Sequence, residues 1–152
     1  MSDAHAPAFR RAVCALNGDT SDARIVKLVA GYAKLTKAEL VAVHVVEIDW
    51  TLPLDADIAG RSEEVQRILD TAESVAENYH VALDPVLLQA RDVGAAIVDE
   101  TTEREADLLV VGLPYRKRFG GEFAIGRTIP YILQNAPCAV WVVRDPMNEE
   151  SS

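Results

Sequence analysis

The sequence predicts an α/β protein, a parallel sheet of five strands sandwiched between helices, and three observations carry that prediction. Apolar runs of strand length alternate along the whole chain with segments whose apolar residues recur at helical spacing. Two of the runs, 39–46 and 108–111, are almost continuously apolar, as strands covered on both faces are. Residues 107–144 read as strand, glycine-rich loop, short helix and strand, with no internal repeat and no low-complexity linker anywhere in the chain.

Arg11 to Leu16 is the first strand, stopped by the turn-forming run Asn17-Gly18-Asp19. Thr20, Ser21 and Asp22 supply helix N-caps, and Ile25, Leu28, Val29 and Tyr32 follow at helical spacing. Glu39 to Val46 is the second strand, so strand, helix and strand form a right-handed crossover. Residues 47–60 have no period, contain Trp50 and Pro53, and read as a loop. Ser62, followed by acidic Glu63 and Glu64, starts an amphipathic helix marked by Val65, Ile68, Leu69, Ala72, Val75, Ala76 and Tyr79.

A third strand is expected over Pro85 to Gln89. Asp92 caps a helix carrying Val93, Ile97 and Val98 that ends near Arg104. The fourth strand starts at Leu108 and is expected to stop at Gly112. Gly120, Gly121 and Gly126 lead into a short helix with Pro130 in its first turn, where a missing N–H costs nothing. Ala136 and Pro137 break that helix near Asn135, and Cys138 to Val143 is the last strand.

A chain of 152 residues, 49% hydrophobic and 26% charged, suits one globular domain. The expected limits are 8–146, with 1–7 and 147–152 as loose termini. A formal net charge of −9 argues against a general binder of nucleic acid or anionic membranes, so an anion has to be held locally. No apolar run approaches the ~18 residues that span a bilayer, and the first residues lack a signal-type segment, so a cytoplasmic protein is expected. Cys14 and Cys138 read as reduced core thiols.

The order Val110-Val111-Gly112, a loop of about a dozen residues, Gly126, a polar pair, a helix and then 135–144, Asn-Ala-Pro-Cys-Ala-Val-Trp-Val-Val-Arg, resembles the C-terminal half of universal stress proteins. ATP-binding members usually carry Gly-x-x-Gly, nine residues, then Gly-Ser or Gly-Thr. Here Tyr115 stands at the second glycine, the spacing to Gly126 is one residue longer, Arg127 takes the hydroxyl position and Thr128 follows it. The 113–119 run, Leu-Pro-Tyr-Arg-Lys-Arg-Phe, is similar to the stress-protein domains attached to amino-acid-permease-type transporters. The resemblance implies strand order 3-2-1-4-5, the adenine nucleotide α-hydrolase-like arrangement. It also implies a homodimer in which the last strand pairs antiparallel, with Ala139, Val140, Trp141 and Val143 at or near the contact.

A sheet of that order has a switch point between strands one and four, and ligands bind beyond the strand ends there. The resemblance implies that the backbone of Val45 meets an adenine edge and that Ala15 and Asn17 approach the base or ribose. Val111, Gly112, Pro114, Tyr115, Gly126, Arg127 and Thr128 would surround ribose and phosphates. Asn17 stands where the family usually has an aspartate, which keeps one acceptor and loses the charge that could hold a ribose hydroxyl or magnesium.

Independently of any family, Gly126 at a helix entrance leaves the N–H groups of Arg127, Thr128 and Ile129 without intrahelical partners. Arg116, Lys117, Arg118 and Arg127 add positive charge, so anion binding is expected, the bland alternative being a solvated loop beside a helix capped by Thr128. A monophosphate or cyclic nucleotide needs less close approach to the backbone than a triphosphate. His44 reads as a hydrogen-bonded core residue, Trp50 and Phe119 as either base covers or loop anchors. Asp49, Asp55 and Asp57 lack calcium-loop spacing, and His5 and His80 have no partner at metal spacing. Neither a Gly-x-Ser-x-Gly elbow nor a Walker run is present.

No catalytic set emerges, so an enzyme is not expected. The expected function is regulatory binding of an adenine nucleotide, whether AMP, cyclic AMP or ATP, with magnesium only alongside ATP. The alternative is a ligand-free interaction module acting on a membrane transporter.

Overall fold

The structure, a computed structural model, describes residues 9–56, 62–115 and 125–147. Nine elements alternate along it: β1 (Arg11–Leu16), α1 (Ser21–Thr36), β2 (Glu39–Glu47), α2 (Ser62–Glu77), β3 (Leu83–Ala90), α3 (Val93–Glu103), β4 (Leu108–Leu113), α4 (Thr128–Asn135) and β5 (Ala139–Arg144). The strands form one sheet in the order β3-β2-β1-β4-β5, and every neighbouring pair is parallel.

Side chains alternate across a strand, and here the alternation divides the apolar residues between two cores. Ala12, Cys14, Leu40, Ala42 and Val110 face α1 and α2. Val13, Ala15, Val41, Val43, Leu109 and Val111 face α3 and α4. Both faces of the central strands are therefore covered, which is why β2 and β4 read as unbroken apolar runs. Burial keeps the Cys14 thiol protonated and pushes its pKa up to about 12, with nearby Asp22 adding to the shift. Cys14 and Cys138 are both free thiols.

Four local expectations change. β4 runs through Gly112 to Leu113, because the missing side chain at Gly112 is what lets α1 pack onto the strand. β3 is longer than 85–89, since Leu83 and Asp84 already pair with Leu40 and Val41. β5 begins at Ala139 and takes in Arg144. At α1 the side chain of Thr20 makes no cap bond, and Asp19 accepts from the Ser21 N–H instead. Asp92 does cap α3, accepting from the Ala95 N–H at 3.0 Å. No helix among the described residues is long and apolar enough to cross a membrane.

Candidate functional site

β1 and β4 lie side by side, yet the chain leaves β1 toward α1 on one face and reaches β4 from α3 on the other. Their C-terminal ends consequently open into a crevice of about 370 Å3 on the α3 and α4 face. Ala15 and Val111, neighbours in the β1–β4 register, form its floor. Asn17, Gly112 and Pro114 line the mouth, and Gly126, Arg127 and Thr128 form the wall at the start of α4.

Asn17 ties the two strand ends together. Its side-chain N–H donates to the Gly112 carbonyl at 2.8 Å and to Ser21 Oγ at 3.2 Å, so the amide oxygen is left as the acceptor on offer. An aspartate could not make the bond to the Gly112 carbonyl, because it has no donor when ionised. Below the same turn the buried Asp22 carboxylate accepts from the N–H groups of Asn17 at 2.7 Å and Gly18 at 2.8 Å. Burial raises its pKa to about 6, against the pull of those two N–H groups, and Asp19 nearby raises it further.

The two glycines have different reasons. A Cβ on Gly112 would sit 2.6 Å from Ser21 Oγ and 2.7 Å from Ser21 Cβ, so its bareness serves packing between α1 and β4. Gly126 has φ +79, in the left-handed region, and open space where a side chain would be. Arg127 is the N-cap of α4 and Thr128 its first residue, and Arg127 makes no side-chain cap bond. Among the described residues the first N–H groups of the helix therefore face the crevice wall without a side-chain cap from Arg127, and Thr128, the first helical residue, does not hold the cap position that the bland alternative gave it.

Some predicted residues lie elsewhere. The Val45 side chain is buried in the core, paired opposite Leu88 of β3, and is not among the residues that line the crevice. Tyr115 is not among the lining residues; the Arg144 guanidinium stands 5.0 Å from its ring centre. Arg116, with Lys117, Arg118 and Phe119, falls outside the described residues. Trp50 is 79% exposed, with the Arg91 guanidinium 5.0 Å from its ring; Arg91 ties the loop down by donating to the carbonyls of Asp49 and Leu52. His44 Nδ1 lies 3.0 Å from the Leu16 carbonyl, as a hydrogen-bonded strand residue should. Among the described residues no cluster of three or more His, Cys, Asp or Glu is placed to hold a metal ion.

Sequence reasoning missed the apolar wall made by Val93 and Ile97 of α3 and Ile129 and Ile132 of α4. Helical spacing marked Val93 and Ile97 as inward-facing, but spacing does not say that part of a helix face borders a ligand space. Asp19, also at the mouth, was read only as a turn former.

The Universal stress protein family model matches residues 8–144. No curated protein matches the sequence. A universal stress protein from Archaeoglobus fulgidus in complex with dAMP is similar at TM-score 0.69 and 19% identity, over 88% of this chain and 96% of that one. A universal stress protein in complex with cAMP is similar at TM-score 0.68 and 19% identity, over 91% and 98%. An Arabidopsis thaliana family protein with AMP bound is similar at TM-score 0.65 and 15% identity, over 91% and 94%.

Proposed function

The chain belongs to the universal stress protein family, and from that premise we propose that it binds an adenine nucleotide, of the AMP or cyclic AMP type, in the crevice between β1 and β4. The observation that carries the reading is the uncapped start of α4 on the crevice wall, beside Gly126 in its left-handed conformation. Unpaired N–H groups and the positive end of a helix dipole favour a phosphate there. Ala15, Val111, Ile97 and Ile132 supply the apolar remainder that a base and ribose can cover. The complexes of family proteins with dAMP, cAMP and AMP support the ligand class.

At about 370 Å3 the crevice is at the small end of ligand sites, which favours a monophosphate over ATP with magnesium. Binding without turnover is part of this proposal, in keeping with Asn17, whose side chain ties strand ends together and is no general base. The role is then regulatory.

Calorimetry with AMP, cyclic AMP, ADP and ATP tests the reading. The parent is expected to bind AMP or cyclic AMP best. Gly126→Val should abolish binding at any salt, because a β-branched residue strains φ +79 and fills the open approach. Arg127→Ala should weaken binding by about 1.5–3 kcal/mol, the range for hydrogen bonds to charged groups, and flatten its salt dependence. Folded parent that binds none of the four at millimolar concentration sinks the proposal and leaves the transporter-docking module in its place. Rapid release of phosphate or pyrophosphate from ATP, lost on changing Asn17, would overturn the regulatory role.

A further inference from the structure

A second cavity, about 630 Å3, lies at the other end of the sheet, where the strands begin. Lys34 and Lys37 come to it from the end of α1, His80 from the turn after α2, and Glu103 and Glu105 from the end of α3. Three of these residues share a conformation: Lys37 has φ 60, His80 φ 59 and Glu105 φ 54. They are the non-glycine residues of positive φ among the described residues. Glycine is the usual occupant just past a helix end, because a Cβ is strained there. Each of these three residues ends a helix with the left-handed backbone bonds of a C-terminal stop, and the three stops bring ionisable side chains to one cavity.

The charges around the cavity fall into two sets. Arg11 pairs with Glu39, and Arg104 with Asp84 and Glu100. Lys34, Lys37, Glu103 and Glu105 have no ion pair among the described residues. The lysines arrive from the helix on one face of the sheet and the glutamates from the helix on the other. Leu40, Val81 and Leu83 supply an apolar lining. Four cations, Arg11, Lys34, Lys37 and Arg104, stand against four carboxylates, Glu39, Asp84, Glu103 and Glu105, so the cavity is balanced on a chain of net charge −9.

We propose that this cavity binds a short zwitterionic peptide. Its carboxylate is held by Lys34 and Lys37, its ammonium group by Glu103 and Glu105, and its small side chains rest on Leu40, Val81 and Leu83. A lone cation would leave the lysines unused and a lone anion the glutamates. A free amino acid carries both charges on groups attached to one carbon, whereas the lysines and glutamates come from helices on opposite faces of the sheet, which suits charges separated along a short chain. A cavity of this size is in the ordinary range for small-molecule sites.

Trialanine is the probe, titrated by calorimetry against the intact chain, with N-acetyl-trialanine and trialanine amide as controls that each lack one charge. Trialanine should bind, and each control should bind about tenfold more weakly. Lys37→Gly and Glu105→Gly should each weaken trialanine binding by a similar factor while raising the melting temperature, since glycine relieves the left-handed strain. AMP titration should be unchanged in both variants, which separates this site from the crevice. The proposal is overturned if trialanine fails to bind the folded parent at millimolar concentration. It is also overturned if the controls bind as well as trialanine, or if both glycine variants bind it as the parent does.

Discussion

Asp22 is 7% exposed, and its carboxylate holds the backbone of Asn17 and Gly18 at the end of β1. Burial dominates its titration and raises its pKa from 3.8 to about 6. The folded chain thus binds this proton more tightly than the unfolded chain, and protonation favours the fold. The contribution is fully present below about pH 4 and is lost as pH rises through about 6. Its size is on the order of 1 to 3 kcal/mol. Urea unfolding of the parent and of Asp22→Asn between pH 4 and 7 measures it. The variant should lose this downward slope with pH, and equal slopes in the two proteins would show that Asp22 does not titrate as described. Sequence alone marked Asp22 as a helix cap, since spacing cannot reveal that the residue is buried. The same gap affected Asn17, whose amide donor is engaged by a carbonyl from a strand 95 residues away in sequence.

Between elements, the contact of α1 with β4 fixes the geometry of the crevice mouth. Ser21 packs directly on Gly112, and Asn17 bridges to the Gly112 carbonyl across the same contact. Gly112→Ala should destabilise the protein by about 1–3 kcal/mol, the usual cost of overpacking. Ser21→Gly in the same chain should recover part of that loss, a coupling that a double-mutant cycle in urea reads out. Additive losses would mean that the two residues do not meet. Element type and order were legible because both periods are strong along this chain. The extension of β4 through Gly112 was not, because glycine is ordinarily a strand breaker and only the helix packed against it makes it a requirement.

At the scale of the whole molecule, β5 is one edge of the sheet, and no strand among the described residues pairs with its outer side. Such an edge is a template for another strand, and pairing with a second copy is the expected assembly. The structure changes how that is tested. Trp141 packs edge-on against Phe9 at 6.0 Å and Tyr32 at 5.8 Å, and Val143 lies against the same core. Trp141→Asp therefore damages the monomer as well as any interface. Val142 is 38% exposed, so Val142→Lys blunts the edge without entering the core. Light scattering should give a dimer for the parent and a monomer of unchanged melting temperature for Val142→Lys. A monomeric parent at micromolar concentration sinks the edge-pairing assignment.

By itself the sequence determined the α/β class, the number and order of elements, the two-sided burial of the sheet and the glycine entrance to α4. Each of these is written in local period, in turn residues or in a helix-start motif, so neighbours in the chain suffice to read it. Strand order came from family resemblance, because nothing in the period of one strand names its neighbour. Only the tertiary structure decided that Val93, Ile97, Ile129 and Ile132 line the crevice while Val45 and Tyr115 do not. It also brought Lys37, His80 and Glu105 to one cavity. Those groupings depend on which faces of distant elements meet, and the packing of two layers of helices on one twisted sheet sets that, not the order of residues along any one of them.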